Sequence, residues 1–100
     1  MSDQVYTIER LREIIRPIAR AYGVNAVWLF GSYARGEANA ESDVDLLIDG
    51  GRIQTLWQLG GFYEDVKERL DKELDIITTG NSDKRFLETI RNDQVAIYAV

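Results

Sequence analysis

Apolar and polar positions along the chain follow two different periods, one helical and one extended. The first helical stretch has apolar residues at steps of three and four: Ile8, Leu11, Ile15, Ile18 and Tyr22. Thr7 is its predicted N-cap and Gly23 its predicted end. Pro17 lies inside this pattern, so we expect two helical pieces or one bent helix.

Four apolar runs have the length and composition of β-strands. They are Val24–Phe30, Asp43–Asp49, Leu74–Thr78 and Val95–Val100. In the first run both alternating sets are apolar, which is typical of a strand covered on its two faces. Trp28 and Phe30 fall on one face, and Val27 and Leu29 fall on the other.

Two further helices are predicted between these strands. The longer one has an apolar stripe interrupted by Gly60 and Gly61, which weaken a helix by about 1 kcal/mol each relative to Ala. Its stripe consists of Leu56, Leu59, Tyr63, Val66 and Leu70. The shorter helix contains Phe86, Leu87 and Ile90, with Ser82 or Asp83 as its cap. The predicted fold class is α/β (α+β), as one domain over residues 1–100, with a small mixed sheet and helices packed mainly on one face.

The composition excludes several kinds of chemistry. The 100 residues contain no histidine and no cysteine, which removes the Ser-His-Asp triad, thiolate nucleophiles and most transition-metal sites. Seventeen acidic residues against twelve basic ones give a net charge of −5, which argues against direct nucleic-acid binding. No apolar run approaches the ~20 residues of a membrane span, and no signal peptide is visible, so we expect a cytoplasmic protein.

Three carboxylates are the candidate metal ligands. Asp43 and Asp45 are two residues apart in a predicted strand, so their side chains leave the same face. Neighbouring carboxylates repel each other, and a hard cation such as Mg²⁺ relieves that repulsion. Asp75 is the charged residue within the next apolar strand. If the two strands are neighbours, the three acids form a group suited to two-metal phosphoryl transfer.

A glycine turn after the first strand is the candidate phosphate site. Gly31 allows the backbone to approach a phosphate closely, and Ser32 offers a hydroxyl and an N–H. Arg35, one helical turn further on, could reach phosphate oxygens. Gly36 then lets the chain turn away. Each feature alone is common in turns and on surfaces, whereas the combination at this spacing is rare.

These residues resemble a known family. The segments Gly31-Ser32-x-x-Arg35-Gly36 and Ser42-Asp43-Val44-Asp45-Leu46-Leu47 are similar to the signature of the polymerase-beta-type nucleotidyltransferase superfamily. The short chain and the Ala34-Arg35-Gly36 sequence most resemble its minimal nucleotidyltransferases, and the resemblance extends over essentially the whole chain.

The resemblance implies a role for each site residue. Asp43 and Asp45 would bind two Mg²⁺ ions, and Asp75 would hold the catalytic ion and help to deprotonate the attacking hydroxyl. Gly31 and Ser32 would bind the β- and γ-phosphates of a nucleoside triphosphate such as ATP, with Arg35 near the triphosphate. The reaction would transfer a nucleoside monophosphate to a hydroxyl and release pyrophosphate.

The resemblance also implies a partner. Minimal members of the family often act as antitoxins beside a helical HEPN toxin, on which a tyrosine is adenylylated. Two alternatives stay open: an antitoxin that acts by contact alone, and a small-molecule enzyme like the family's aminoglycoside-modifying members. A homo-oligomer is a further option for the assembly.

The remaining conspicuous residues have simpler interpretations. Trp28, Phe30, Phe62 and Phe86 are expected in the core. Trp57 and Tyr63 are either core or a partner surface. Tyr33 is expected to be exposed near the nucleotide, and Asp49, about 13 Å along the strand from Asp45, is expected outside the site. A solvated helix face is expected for Lys67, Glu68, Arg69, Asp71 and Lys72.

Overall fold

The computed structural model describes residues 4–81 and 83–100. The elements in chain order are α1 (Ile8–Tyr22), β1 (Ala26–Phe30), α2 (Gly31–Ala34), β2 (Val44–Asp49), α3 (Leu56–Leu70), β3 (Leu74–Thr78), a 3₁₀ turn (Thr79–Asn81), α4 (Lys84–Arg91) and β4 (Val95–Ala99). Each predicted strand is present, and three of them are shorter than predicted by one or two residues at an end. Ser82 lies outside the described residues, and the observed cap of α4 is Asp83, whose carboxylate accepts a hydrogen bond from the Arg85 N–H at 2.8 Å.

The four strands form one mixed sheet in the order β3-β2-β1-β4. Strand β1 runs antiparallel to both β2 and β4, whereas β2 and β3 are parallel. The parallel pair requires a crossover, and α3 supplies it. This topology confirms the predicted small mixed sheet.

The two faces of the sheet are covered unequally. Helices α1 and α3 contact each other and cover one face, where Leu11, Ile15, Leu29, Leu46 and Phe62 are among the fully buried side chains. The second face has a smaller cluster in which Ile90 and Leu87 of α4 pack against residues of β1 and β2. Most of the helical mass therefore lies on one face, as predicted, and the second face is left open at one end.

Helix α1 is continuous, so of the two predicted alternatives, two helical pieces or one bent helix, the first is wrong. Pro17 lies within it and is exposed, as is Glu13, four residues earlier. The proline removes a single N–H from the helix, and the carbonyl that loses its partner belongs to a solvent-facing residue. Thr7 caps the first turn through a 3.0 Å hydrogen bond from the Arg10 N–H, and Gly23 ends the helix in the left-handed conformation at φ 73°.

Helix α3 begins at a well-formed cap. The Thr55 hydroxyl accepts from the Gln58 N–H at 3.2 Å, and the Gln58 side chain accepts from the Thr55 N–H at 3.1 Å. This reciprocal pair satisfies two N–H groups that the first turn would otherwise leave unpaired. It offsets part of the helix weakening that Gly60 and Gly61 cause.

Two arginines of α1 contact the outer strand β4. The Arg12 Nε donates to the Ala96 carbonyl at 3.1 Å, and the Arg16 Nε donates to the Ile97 carbonyl at 2.9 Å. The strand therefore receives hydrogen bonds from β1 on one side and from α1 side chains as well.

The side chains of Phe86 and Lys72 lie in surroundings that differ from the prediction. Phe86 is 39% exposed rather than buried in the core, although its ring packs edge-on against Phe30 with centroids 6.2 Å apart. Lys72 is 2% exposed rather than part of a solvated helix face, because it follows the end of α3 and points back into the fold. No helix in the described ranges is long and apolar enough to cross a membrane.

Candidate active site

The predicted site residues meet where β1 ends and where β2 and β3 begin. Phe30, the last residue of β1, lies opposite Asp45 of β2, and Asp45 lies opposite Asp75 of β3. Residues in register on adjacent strands project from the same face of a sheet. The two carboxylates are therefore neighbours on the less covered face, at its open end.

Asp43 completes the acidic group from just before β2. It is two residues from Asp45, so the strand alternation directs both side chains to the same face. Asp43 and Asp75 are exposed, and Asp45 is half-buried between them. Burial, followed by the charges of Asp75 and then Asp43, raises the pKa of Asp45 to about 6.

The acidic group fits a hard divalent cation by its donor chemistry. Its donors are carboxylate oxygens, which are the ligands that Mg²⁺ prefers. A bound cation would relieve the repulsion that raises the pKa of Asp45. As they stand, no three acidic side chains within residues 4–81 and 83–100 are gathered closely enough to enclose a metal ion. The arrangement is an open, exposed set of candidate ligands rather than a closed structural site.

Gly31 shapes the side of the site next to Asp45. Its φ is 73°, a left-handed conformation that strongly favours glycine. A Cβ atom at this position would overlap the Asp45 carboxylate at Oδ2. Glycine is therefore required twice, by the backbone conformation of the turn and by the space that the carboxylate fills.

Helix α2 follows as a single tight turn. The Arg35 N–H donates to the Gly31 carbonyl at 3.2 Å, and the Glu37 N–H donates to the Ser32 carbonyl at 2.9 Å. Ser32 is half-buried next to Gly31. Tyr33 was expected to be exposed, but it is 3% exposed in the main core, and burial raises the pKa of its phenol. Tyr33 is the residue of this turn whose side chain packs into the main core, so it anchors the turn to the fold.

Arg35 is exposed and held by two acids. Its Nε lies 3.1 Å from the Glu37 carboxylate, and its Nη1 lies 3.6 Å from the Asp93 carboxylate in the turn between α4 and β4. The hydrogen bond that Arg35 donates to the Glu37 carboxylate is the main cause that raises the pKa of Arg35. The positive charge of Arg35 also lies close enough to Asp45 to lower the pKa of Asp45, although the causes that raise this pKa are larger. The contact of Glu37 with Arg35 could have been predicted from the sequence, because the two residues are close along the chain. Asp93 is far from Arg35 in sequence, and only the fold brings it close.

The loop before Asp43 is fixed by two contacts. The Ser42 hydroxyl accepts from the Asn39 N–H at 2.9 Å, and this contact shapes the approach to β2. The buried Lys72 donates from Nζ to the Ala40 carbonyl at 2.8 Å. The burial of Lys72 and its contact with this loop were not predicted, because a lysine within a charged run is expected to face solvent.

Asp49 lies away from the acidic group. It pairs with Ala26 at the start of β1, so it stands at the opposite end of β2 from Asp45. Its carboxylate lies 3.5 Å from the Asn25 side-chain amide. The prediction that Asp49 lies outside the site is confirmed.

The raised pKa of Asp45 predicts how stability depends on pH. The folded protein holds this proton more tightly than the unfolded chain, whose value is near 3.8. The protonated Asp45 side chain therefore makes its full contribution to the free energy of unfolding below pH 3.8. This contribution is lost as the pH rises through about 6. In a chelating buffer, the free energy of unfolding of wild type relative to Asp45→Asn should fall over this range. Denaturant titrations of both proteins at a series of pH values measure this difference in the free energy of unfolding. A difference that does not change with pH would contradict the raised pKa of Asp45.

Comparison with known proteins agrees with this geometry. The family model described as "Polymerase beta, Nucleotidyltransferase" matches residues 13–99. A Methanocaldococcus jannaschii protein named as a candidate protein adenylyltransferase is 32% identical over 90 residues, which cover 90% of this chain and 97% of the relative. Protein adenylyltransferase MntA of Thermococcus cleftensis is 27% identical over 95 residues, covering 91% of this chain and 96% of the relative.

Solved structures share the fold. A chain described as a minimal nucleotidyltransferase superposes with a TM-score of 0.78 at 28% identity, covering 90% of this chain and 95% of that one. A chain from a toxin–antitoxin structure with AMP-PNP has a TM-score of 0.77 at 15% identity, covering 89% and 73%. A chain from a structure of a tri-AMPylated HEPN toxin of Shewanella oneidensis with its MNT antitoxin has a TM-score of 0.72 at 12% identity, covering 94% and 74%. With the family model matched over residues 13–99 and the acidic group at the end of its sheet, the chain belongs to the polymerase-beta nucleotidyltransferase family.

Proposed function

We propose that this protein is a Mg²⁺-dependent adenylyltransferase that transfers AMP from ATP to a tyrosine hydroxyl of a HEPN toxin, and so acts as its antitoxin in the cytoplasm. The observation that carries the proposal is the pairing of Asp45 with Asp75 beside the Gly31 turn. Support for the substrate and the partner comes from relatives named as protein adenylyltransferases and from a similar fold found with an AMPylated HEPN toxin.

Each site residue has a task in this proposal. Asp43 and Asp45 would hold two Mg²⁺ ions, with Asp75 as a further ligand to one of them. When bound, the ions stabilise negative charge on the attacking and leaving oxygens. Gly31 and Ser32 would bind the β- and γ-phosphates, and the missing Cβ of Gly31 leaves room for the Asp45 carboxylate beside them. Arg35 would add a positive charge at the edge of the triphosphate.

The position of Asp75 suits the acceptor side of the reaction. Strand β3 is an outer strand of the sheet, and Asp75 is exposed there. A hydroxyl arriving from another molecule can reach this carboxylate, which would accept its proton. The hydroxyl oxygen then bonds to the α-phosphorus, the bond to the β-phosphate oxygen breaks, and pyrophosphate leaves. We propose that residues 1–100 act as one nucleotidyltransferase domain, and that the acceptor hydroxyl comes from the second protein.

The test is label transfer to a HEPN protein, taken from the genes that adjoin the one encoding this chain. With Mg²⁺ and ATP labelled at the α-phosphate, we expect label on the toxin, and with ATP labelled at the γ-phosphate we expect none. Replacing the acceptor tyrosine by Phe should abolish labelling. Label from γ-labelled ATP would identify phosphoryl transfer instead. Full protection of cells by an Asp43→Asn/Asp45→Asn variant would show that the antitoxin works by contact, and would contradict the proposal.

A further inference from the structure

Of the three acids in the candidate site, Asp43 is held least directly by the sheet. Asp45 is paired with Phe30 on one side and with Asp75 on the other. Strand β2 begins at Val44, so Asp43 lies outside both strand ladders. Its position therefore depends on the contacts of the chain segment that leads into β2.

That segment contains a compact turn, which we call the 39–42 turn after its residues. The Asn39 N–H donates to the Ser42 hydroxyl at 2.9 Å, and the Ser42 N–H donates to the Asn39 carbonyl at 3.1 Å. The Asn39 side chain also accepts from the Glu41 N–H at 2.9 Å. Such local bonds hold a turn together. They do not attach it to the rest of the fold.

Two contacts attach this segment to the chain between α3 and β3, one on each side of Asp43. After Asp43, the Val44 N–H donates to the Glu73 carbonyl at 2.9 Å. Before it, the Ala40 carbonyl accepts from the Lys72 Nζ at 2.8 Å. The first contact joins two backbone groups and does not depend on a side chain. The second exists only because residue 72 is a lysine.

Lys72 is buried to an extent that is rare for a lysine. It is 2% exposed, and it has no ion pair with any residue in the ranges 4–81 and 83–100. Burying an ammonium group without a carboxylate partner is costly, and an apolar residue of similar volume often gives a more stable protein. Its place after the end of α3 favours positive charge but offsets only part of this cost. Stability therefore does not explain this lysine, whereas the placement of the 39–42 turn does.

We propose that Lys72 is a positioning residue, which holds the 39–42 turn so that the Asp43 carboxylate stays beside Asp45 and can share a cation with it. The inference rests on the proposed function, because it takes Asp43 as a Mg²⁺ ligand. Without the ammonium group, the Val44 contact remains, but the turn is released on the other side of Asp43. The carboxylate then samples positions away from Asp45, and the cation binds less tightly.

Lys72→Met tests the proposal, because methionine keeps the unbranched stem and removes the ammonium group. We expect the variant to fold and to melt within a few degrees of the wild type, since a buried charge is lost together with its hydrogen bond. In the metal-free chain, hydrogen exchange at the Asn39, Glu41 and Ser42 amides should become about tenfold faster. The amides of α1 should exchange as they do in the wild type.

Titration with Mn²⁺ measures the effect on the acidic group itself. Calorimetry on the isolated chain should give a dissociation constant for Mn²⁺ about tenfold higher in Lys72→Met than in the wild type. In the transfer assay, the Mg²⁺ concentration that gives the half-maximal rate should rise by the same factor. Excess Mg²⁺ should restore most of the rate, which it would not do for a damaged fold.

Lys84→Met is the matched control. Lys84 is exposed at the start of α4 and has no ion pair with another described residue. The same substitution there should leave hydrogen exchange in the 39–42 turn and the Mn²⁺ affinity unchanged.

Ser42→Ala tests the turn without altering Lys72. It removes the hydroxyl that accepts from the Asn39 N–H, so it should also speed exchange in the turn and weaken Mn²⁺ binding. A wild-type Mn²⁺ affinity in either Lys72→Met or Ser42→Ala would overturn the proposal. A wild-type chain that binds no Mn²⁺ would contradict both this proposal and the proposed function. A chain that binds Mn²⁺ but transfers no AMP would contradict the proposed reaction alone, and the Mn²⁺ affinities of the variants would still decide the role of Lys72.

Discussion

Asp45→Asn should abolish AMP transfer while leaving the protein at least as stable as the wild type. Asp45 is the central acid of the row, half-buried between Asp75 and Asp43. An amide keeps the shape of the side chain and removes the negative charge that would hold the cation. We expect transfer to fall by about a thousandfold or more. Above pH 6 the variant should melt a few degrees higher, because the charge repulsion that raises the pKa of Asp45 is gone.

The matched control for this prediction is Asp49→Asn. Asp49 lies on the same strand with the same alternation, but at the opposite end. Its amide variant should transfer AMP at the wild-type rate. Transfer is measured with labelled ATP and the HEPN partner, and stability by thermal melting without metal. An active Asp45→Asn protein, or one that melts lower than the wild type above pH 6, would contradict the role given to this carboxylate.

Gly31→Ala should reduce both stability and transfer, whereas Gly36→Ala should reduce stability alone. Both glycines have a left-handed backbone, with φ of 73° and 74°, so a methyl group at either costs about 1–2 kcal/mol. At Gly31 the methyl group also overlaps the Asp45 carboxylate, whereas at Gly36 it meets no atom within 4 Å. Displacing the carboxylate by about 1 Å should cost about a hundredfold in transfer.

The comparison of the two variants separates the overlap with the Asp45 carboxylate, which occurs only at Gly31, from the backbone strain, which occurs at both glycines. Denaturant titration gives the free energy of unfolding for each, and label transfer gives the rate. Equal losses of transfer in Gly31→Ala and Gly36→Ala would mean that turn strain, and not the contact with Asp45, limits the reaction.

Local periodicity was enough to predict the strands and the acidic pair. Two acids at alternate positions of an apolar strand leave one face whatever the rest of the fold does. The prediction that Asp75 belongs to the site needed a further inference, because Asp75 can lie near Asp45 only if β3 is next to β2. That pairing follows from the parallel crossover through α3, which a sequence with alternating helices and strands favours.

The errors concern side chains whose surroundings come from distant parts of the chain. Tyr33 and Lys72 are amphipathic, so their sequence neighbours do not determine whether they are buried. Lys72 is covered because the loop at Ala40, far away in sequence, returns over it. Phe86 remains partly exposed because α4 is short and covers only a part of its face of the sheet. Pro17 left α1 intact because it falls on the solvent side of the helix.

The arginine contacts on β4 have a consequence for how this protein can assemble. Arg12 and Arg16 already donate to the carbonyls of Ala96 and Ile97. An incoming strand would have to displace two charged side chains before it could pair with these groups. The molecule thus discourages sheet extension at this edge, and with it strand exchange and fibre growth.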